Sequence, residues 1–326
     1  MLRLTARSER WPLSRPFRIA RGVKTAADVV LVEASDGVRV GYGEAVPYAR
    51  YGESVDSVLA QIATVADRGL TRAALQSAMP SGAARNAIDC ALWDLEAQQT
   101  GRSVAALAGL NEPDCVVTAV TVSLDTPEAM AAAAAEIAAS PLIKVKVDAN
   151  APLDAVAAVR RAAPRARLIV DPNESWSVEL LAELLPHLAN LRVDLVEQPV
   201  PADQDEPLER LTPAVPLCAD ESAHTSADLA HVARRYQAVN VKLDKTGGFT
   251  EAVKMRAEIQ RLGLTLMVGC MVSTSLGVAP ALLLATQASF VDLDGPWWLA
   301  KDRENGMIFE QGRMRATRGG WGHARA

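Results

Sequence analysis

The chain is poor in rings, thiols and imidazoles. Of its 326 residues only 4 are Phe, 6 Trp and 4 Tyr, so the core must be built mainly from Ala, Leu, Val and Ile. The 4 cysteines, Cys90, Cys115, Cys218 and Cys270, lie far apart with no CxxC, which excludes a disulfide scaffold. The 4 histidines, His187, His224, His231 and His323, show no ligand spacing, which disfavours zinc. No apolar run approaches the ~18 residues of a spanning helix, and the N-terminus MLRLTARSER carries no apolar signal region. Positive charge is not in excess either. The 34 Lys+Arg against 39 Asp+Glu give a formal net charge of −5, which disfavours nucleic acid and anionic lipid as partners. The expectation is a soluble, reduced, cytoplasmic protein with no nucleic-acid or membrane partner.

What is present is a repeating unit. From residue 115 onward, β-branched runs alternate with Ala- and Leu-rich stretches. The strand-like runs are CVVTAVTV (115–122), IKVKVD (143–148), RLIVD (167–171), VDLVE (193–197), VPLCAD (215–220), AVNVKL (238–243), LTLMVG (264–269) and SFVDLD (289–294). Helical spacing falls over 127–139, 153–163, 178–188, 226–236 and 250–262, with Thr126, Ser177 and Ser226 as capping residues. Such alternation predicts a closed parallel α/β barrel. The last run leads into WWLAKDRENG, which does not read as a helix, so a (β/α)7β modified TIM barrel is expected.

Residues 1–112 differ. Two strand-like runs meet at Asp36-Gly37, and helical spacing follows over 54–66 and 82–100, which predicts an α+β capping domain. The barrel is expected over 113–300. The remaining residues, 301–326, are expected to pack back on the capping domain and to end in an exposed tail.

Barrel strands are buried on both faces and should read as continuous apolar runs. Here most carry charge at or near their C-terminal ends: Lys144 and Lys146, Asp171, Glu197, Asp220-Glu221, Lys242, then Asp292 and Asp294. A single strand-end Asp is usually a cap or loop residue. Charges on so many ends of one rim must instead compensate one another or a ligand, because each buried unpaired ion costs several kcal/mol. Asp171, Glu197 and Asp220 come from consecutive strands and offer three hard oxygen donors, which suits Mg²⁺. Lys146 and Lys242 flank them. Near a divalent ion their pKa values are expected to fall, so each can act as a base on opposite faces of a carbon beside a carboxylate, the metal holding the enolate between the steps. Salt bridging to the acids is the plainer alternative for the same lysines. Lys245 falls past the strand end and ranks below Lys242.

The segments KVKVD, VDPNESW, VEQPV, ADES and VNVKLDKTGG, in this order, resemble the enolase superfamily in its muconate-lactonizing subgroup. The resemblance extends to MVGCMVSTS, DLDGPWWL, RGVKTAADVV, YARYGES and GAARNAIDCALWDLEAQ, nearly the whole chain apart from the tail. Within the subgroup the Asp292-Leu293-Asp294 segment is most similar to the dipeptide epimerases, where it binds the α-ammonium group. The resemblance implies Mg²⁺ on Asp171, Glu197 and Asp220, acid/base catalysis by Lys146 and Lys242, and Lys144 beside the bound carboxylate. It further implies that Thr121 and the segment from Cys270 line the substrate site, with Asn173 and Glu221 supporting the ligands. The distal carboxylate of a Glu side chain would meet Arg21 or Lys24, near Tyr48, Arg50 and Tyr51. An ammonium at Lys24 lacks the guanidinium's fork, which bears on substrate preference. The implied reaction is interconversion of L-Ala-L-Glu and L-Ala-D-Glu in cell-wall peptide recycling, in a chain free to form a homo-oligomer. An o-succinylbenzoate synthase, a cycloisomerase or a catalytically silent barrel are the alternatives. The substrates of the first two lack the ammonium that the Asp pair suits.

Overall fold

The computed structural model describes residues 2–317 and 320–323. The chain opens with an antiparallel sheet of β1 (Arg3–Ile19), β2 (Gly22–Ser35) and β3 (Val40–Ala45), in that spatial order. The β2–β3 hairpin forms at the expected Asp36-Gly37. Strand β1, the longest, is not signalled by the sequence pattern. It is an edge strand whose polar residues alternate with half-buried ones, and its register breaks between Pro12 and Phe17.

Helices α1 (Val55–Ala63), α2 (Arg72–Ala78), α3 (Ala83–Thr100) and α4 (Val104–Ala108) follow. Most of α3 is buried, pressed between β3 and the barrel. Two glycines permit the approach: a Cβ at Gly41 would lie 2.3 Å from Ala91 O, and one at Gly43 would lie 2.1 Å from Ala87 O. Backbone contact this close has no room for any side chain.

The run 115–122 splits in two. Its first part, β4 (Val116–Val117), leaves the barrel, and its second, β5 (Val120–Val122), begins it. Next come α5 (Pro127–Glu136), β6 (Leu142–Lys146), α6 (Pro152–Ala162), β7 (Arg167–Asp171), α7 (Val178–Asn190) and β8 (Leu195–Glu197). After them run β9 (Leu217–Ala219), α8 (Leu229–Val232), β10 (Ala238–Lys242), α9 (Leu243–Thr246), α10 (Phe249–Arg261), β11 (Thr265–Gly269), α11 (Ser275–Leu282) and β12 (Phe290–Asp292). Strands β5 to β12 pair in chain order in one 8-stranded sheet. The ring closes where Ala119 N donates to Val291 O at 2.7 Å.

The predicted helix over 226–236 shrinks to a 3-10 turn and the single turn of α8. Helix α11 escapes the pattern because Gly277 and Pro280 interrupt it. Among the described residues no α-helix closes the barrel after β12. A 3-10 turn at Gly295–Trp298 leads to the hairpin β13 (Ile308–Glu310) and β14 (Arg313–Arg315), and β14 pairs with β4. The tail expected to be exposed is partly buried: Trp321 Nε1 donates to Cys90 O at 3.2 Å and Gly322 N to Asp94 Oδ1 at 2.8 Å, both on α3. A large apolar ring gains more by covering α3 than by facing water. Residues 318–319 and 324–326 of that tail lie outside the described ones. Among the described residues no helix is long and apolar enough to cross a membrane.

Candidate active site

The charged strand ends meet. A cavity of about 490 Å³ at the C-terminal rim of the barrel is lined by Lys144, Lys146, Asp220, Lys242, Asp292 and Asp294, with Thr121, Asn173, Glu221 and Cys270 between them. Arg21, Lys24, Tyr48 and Tyr51 of the capping domain roof it. Asp171 and Glu197 lie just beneath, fully buried. The rim position follows from topology, since parallel strands all present their C-terminal ends on one side.

Ion pairs tie the set together. Lys144 Nζ occupies the point where three carboxylates converge: 2.7 Å from Glu197 Oε2, 2.8 Å from Asp292 Oδ2 and 3.0 Å from Asp171 Oδ2. Lys146 Nζ donates to Asp171 Oδ2 at 2.5 Å and to Asn173 Oδ1 at 3.1 Å. Lys242 Nζ donates to Asp220 Oδ2 at 2.6 Å, with Glu197 Oε1 at 3.8 Å. Glu197 Oε1 also accepts from Asn240 Nδ2 at 2.8 Å, whereas its Oε2, despite the nearby ammonium, has no partner in hydrogen-bonding geometry.

Lys245, ranked low on sequence, is completely buried. Its Nζ donates to the main-chain oxygen of Asp220, to Asp220 Oδ1 at 2.6 Å and to Asn240 O at 3.0 Å. It grips Asp220 from behind while Lys242 faces the cavity. The strand ends at Lys242, and the single turn of α9 brings Lys245 back under it, a reversal no strand periodicity signals.

Electrostatics depart from expectation at one lysine. Burial lowers the Lys146 pKa, and Asp171 only partly offsets this, so Lys146 shifts in the expected direction. At Lys242 burial also works downward, but Asp220 and Glu197 outweigh it and raise the pKa. Lys144 is raised well above the ordinary value, since Asp171, Asp292 and Glu197 overcome its burial. Asp171 and Asp220 stay well below the carboxylate range because their lysines outweigh desolvation, whereas burial and neighbouring Asp171 push Glu197 up.

At the far wall Asp292 and Asp294 both reach the cavity, but not as alternate residues of one strand. Strand β12 stops at Asp292, and Asp294 sits in a turn where its Oδ2 accepts from Thr121 N at 2.8 Å and Trp298 Nε1 at 3.2 Å. Asp292 Oδ1 is buried without a partner. Burial and the adjacent Asp292, opposed by Thr121, push Asp294 up to about 6. Asp292 Oδ2 is already paired with Lys144, so what the pair offers the cavity is the free Asp292 Oδ1 and the Asp294 carboxylate once it is ionised. The Cys270 thiol is pushed well up by burial and the same two carboxylates, which fits a wall residue and not a nucleophile.

Of the two expected cap cations, Arg21 is already engaged by the protein, donating to Asn173 O, Glu174, Tyr48 and Glu221. Lys24 forms no ion pair among the described residues. Its ammonium lies 5.2 Å from the centre of the Tyr48 ring, and burial lowers its pKa. Glu221 accepts from Arg21 through Oε1 and has an unpartnered Oε2.

With the side chains as they lie, no three acidic, thiol or imidazole groups among the described residues are gathered to hold a metal ion. The donor chemistry nevertheless fits one. Asp171, Glu197 and Asp220 supply hard oxygens from three adjacent strands, and each already faces positive charge, Asp171 and Glu197 the Lys144 ammonium and Asp220 that of Lys242.

Comparison with known proteins agrees with this geometry. Residues 128–324 match the family described as enolase C-terminal domain-like, and residues 1–109 match the mandelate racemase / muconate lactonizing enzyme N-terminal domain. The chain is 49% identical to the L-Ala-D/L-Glu epimerase of Escherichia coli (strain K12) over 94% of this chain and 97% of that one. It is 45% identical to an N-acetyl-D-glutamate racemase of a Pseudoalteromonas species, over 88% and 92%. A crystal structure of an Agrobacterium tumefaciens enolase family member with homology to dipeptide epimerases, holding sodium and L-Ala-L-Glu with an ordered loop, superposes with a TM-score of 0.95. It is 49% identical and covers 98% of both chains. A rim of buried lysines and carboxylates under a cap, with both domains matched in sequence, places this chain in the mandelate racemase / muconate lactonizing enzyme family of the enolase superfamily.

Proposed function

We propose that the protein is a dipeptide epimerase that inverts the Cα of the second residue, with L-Ala-L-Glu and L-Ala-D-Glu as the favoured pair. One observation carries this reading: Lys146 and Lys242 open into a single cavity whose far wall bears Asp292 and Asp294. The carboxylate pair suits a free ammonium, and the lysines suit removal and return of a proton at a carbon some way along the backbone. An N-acylated amino acid, a succinylbenzoate precursor or a muconate has no ammonium to offer, so the same pair disfavours them.

The lysines differ. Burial lowers the Lys146 pKa, as a base requires, whereas Asp220 and Glu197, the carboxylates assigned here to the metal, raise that of Lys242. Proton transfer across one carbon needs a pair of lysines, one accepting from Cα as the other donates to it. Lys144, fully buried, neutralises the carboxylate as negative charge develops on it. In this proposal Asp171, Glu197 and Asp220 hold Mg²⁺, which when bound supplies electrophilic stabilisation of that charge. Thr121 and Cys270 line the dipeptide backbone, and Asn173 and Glu221 support the ligand loops. Lys24, in no ion pair among the described residues, meets the distal carboxylate. Cytoplasmic recycling of cell-wall peptides is the role that accords with such a substrate.

The test is deuterium incorporation. Dipeptides, with N-acetyl-Glu among the controls, are incubated in D₂O with Mg²⁺ and read by mass spectrometry. Label at the second Cα of Ala-Glu is expected, and EDTA should abolish it until Mg²⁺ is restored. Absence of label in every dipeptide overturns the epimerase reading, and full exchange in EDTA overturns the metal.

A further inference from the structure

Above the catalytic lysines one guanidinium of the cap reaches two barrel loops at once. Arg21 stands in the turn between β1 and β2, on the cap. Its Nη1 donates to Asn173 O at 2.9 Å and Glu174 Oε2 at 3.0 Å, and its Nη2 donates to Tyr48 OH at 3.0 Å and Glu221 Oε1 at 2.6 Å. Asn173 and Glu174 belong to the loop after β7, and Glu221 to the loop after β9, so Arg21 staples two barrel loops to each other and to the cap. Asn173 is also the residue whose Oδ1 accepts from Lys146 Nζ at 3.1 Å.

That loop needs holding. Asn173 and Glu174 stand consecutively in the left-handed region, with φ of 48° and 66°. Two non-glycine residues there persist only when their surroundings enforce it. Arg50 adds a second grip on Glu174, at 2.7 and 2.9 Å, but from a more exposed side chain (40% against 26% for Arg21) and without reaching Asn173 or Glu221. A lysine at position 21 has no fork with which to serve two loops at once.

We infer that Arg21 is a positioning residue, which fixes Asn173 and thereby the Lys146 ammonium by clamping the loops after β7 and β9, and is not the ligand of a substrate's distal carboxylate. The inference deepens the epimerase proposal and rests on it for its kinetic arm. Displacing a catalytic group by about 1 Å can cost on the order of a hundredfold in rate. Arg21→Met is therefore expected to lower kcat roughly ten- to a hundredfold, equally for Ala-Glu and Ala-Leu, with KM little changed. Arg21→Lys should restore little.

A second arm needs no substrate. Hydrogen exchange in the segments 171–176 and 219–222 should quicken in Arg21→Met while the rest of the barrel keeps its protection. A loss confined to Ala-Glu and carried by KM makes Arg21 a substrate ligand and overturns the inference. Unchanged exchange in both segments also overturns it. If the native protein turns over no dipeptide, the epimerase proposal fails by itself, and the exchange arm still decides whether Arg21 clamps the loops.

Discussion

Replacing Asp294 by Asn removes one negative charge from a fully buried side chain, yet leaves an oxygen for its two protein donors, Thr121 N at 2.8 Å and Trp298 Nε1 at 3.2 Å. The fold should therefore survive. What is lost is one charge-assisted contact to a substrate ammonium, ~1.5–3 kcal/mol, or roughly 10- to 150-fold in kcat/KM for free-amine dipeptides. The structure adds a second handle. Burial, then the neighbouring Asp292, push Asp294 up to about 6, and a carboxyl must be ionised to hold an ammonium. A group titrating near 6 is ionised in about one molecule in ten at pH 5 and in nearly all at pH 8. The native kcat/KM thus loses about tenfold from this group on acidification, and Asp294→Asn loses nothing from it. Dividing native by variant at each pH cancels other titrations, such as Glu221 near 7. The ratio should fall about tenfold between pH 8 and pH 5. The assay is initial-rate epimerisation of L-Ala-L-Glu in D₂O across that range. A ratio of one at pH 8, or a ratio indifferent to pH, refutes the ammonium assignment.

The two lysines should have separable duties: Lys146→Ala and Lys242→Ala each abolish epimerisation, while each retains Cα exchange of only that epimer whose proton faces the surviving lysine, and normal epimerisation by both variants would refute the two-base mechanism. Lys24→Met should lower kcat/KM for Ala-Glu by about 10-fold or more and spare Ala-Leu, as a charge-specific contact requires; an unchanged Glu preference removes Lys24 from the distal-carboxylate role. Asp244, fully buried at the joint between cap and barrel, is pushed up to about 7 by burial, against bonds from Val46 N and Asn86 Nδ2, each at 2.9 Å. Its unfolded-state value is near 3.8, so folding takes up a proton between these limits, and stability falls as pH rises from about 4 to about 7. Asp244→Asn keeps the acceptor oxygen and should match the native protein near pH 4 but exceed its unfolding free energy by ~1–3 kcal/mol at pH 8; denaturant melts that show the variant weaker at both pH values would rule this out.

The sequence by itself determined the repeating architecture and the list of charges at its rim. Strand β7 runs from Arg167 to Asp171 as its pattern predicts, because a barrel strand dry on both faces writes a continuous apolar run that only a functional end interrupts. The same contrast exposed Lys144, Lys146, Glu197 and Lys242. Where burial is one-sided or the backbone turns, local pattern says little. Edge strand β1 alternates mostly between exposed and half-buried residues, Glu9 and Arg15 among the latter, α11 is broken by Gly277 and Pro280, and Asp294 reaches the cavity through a turn that strand period cannot register. Tertiary structure alone decided how the charges pair. That Lys242 pairs with Asp220, that Lys245 doubles back beneath it, and that Arg21 bonds to the barrel while Lys24 lies against Tyr48, all depend on groups tens to hundreds of residues apart. A side chain's charge is written in its own residue type, but its partner and its pKa belong to whatever the fold brings within a few ångströms.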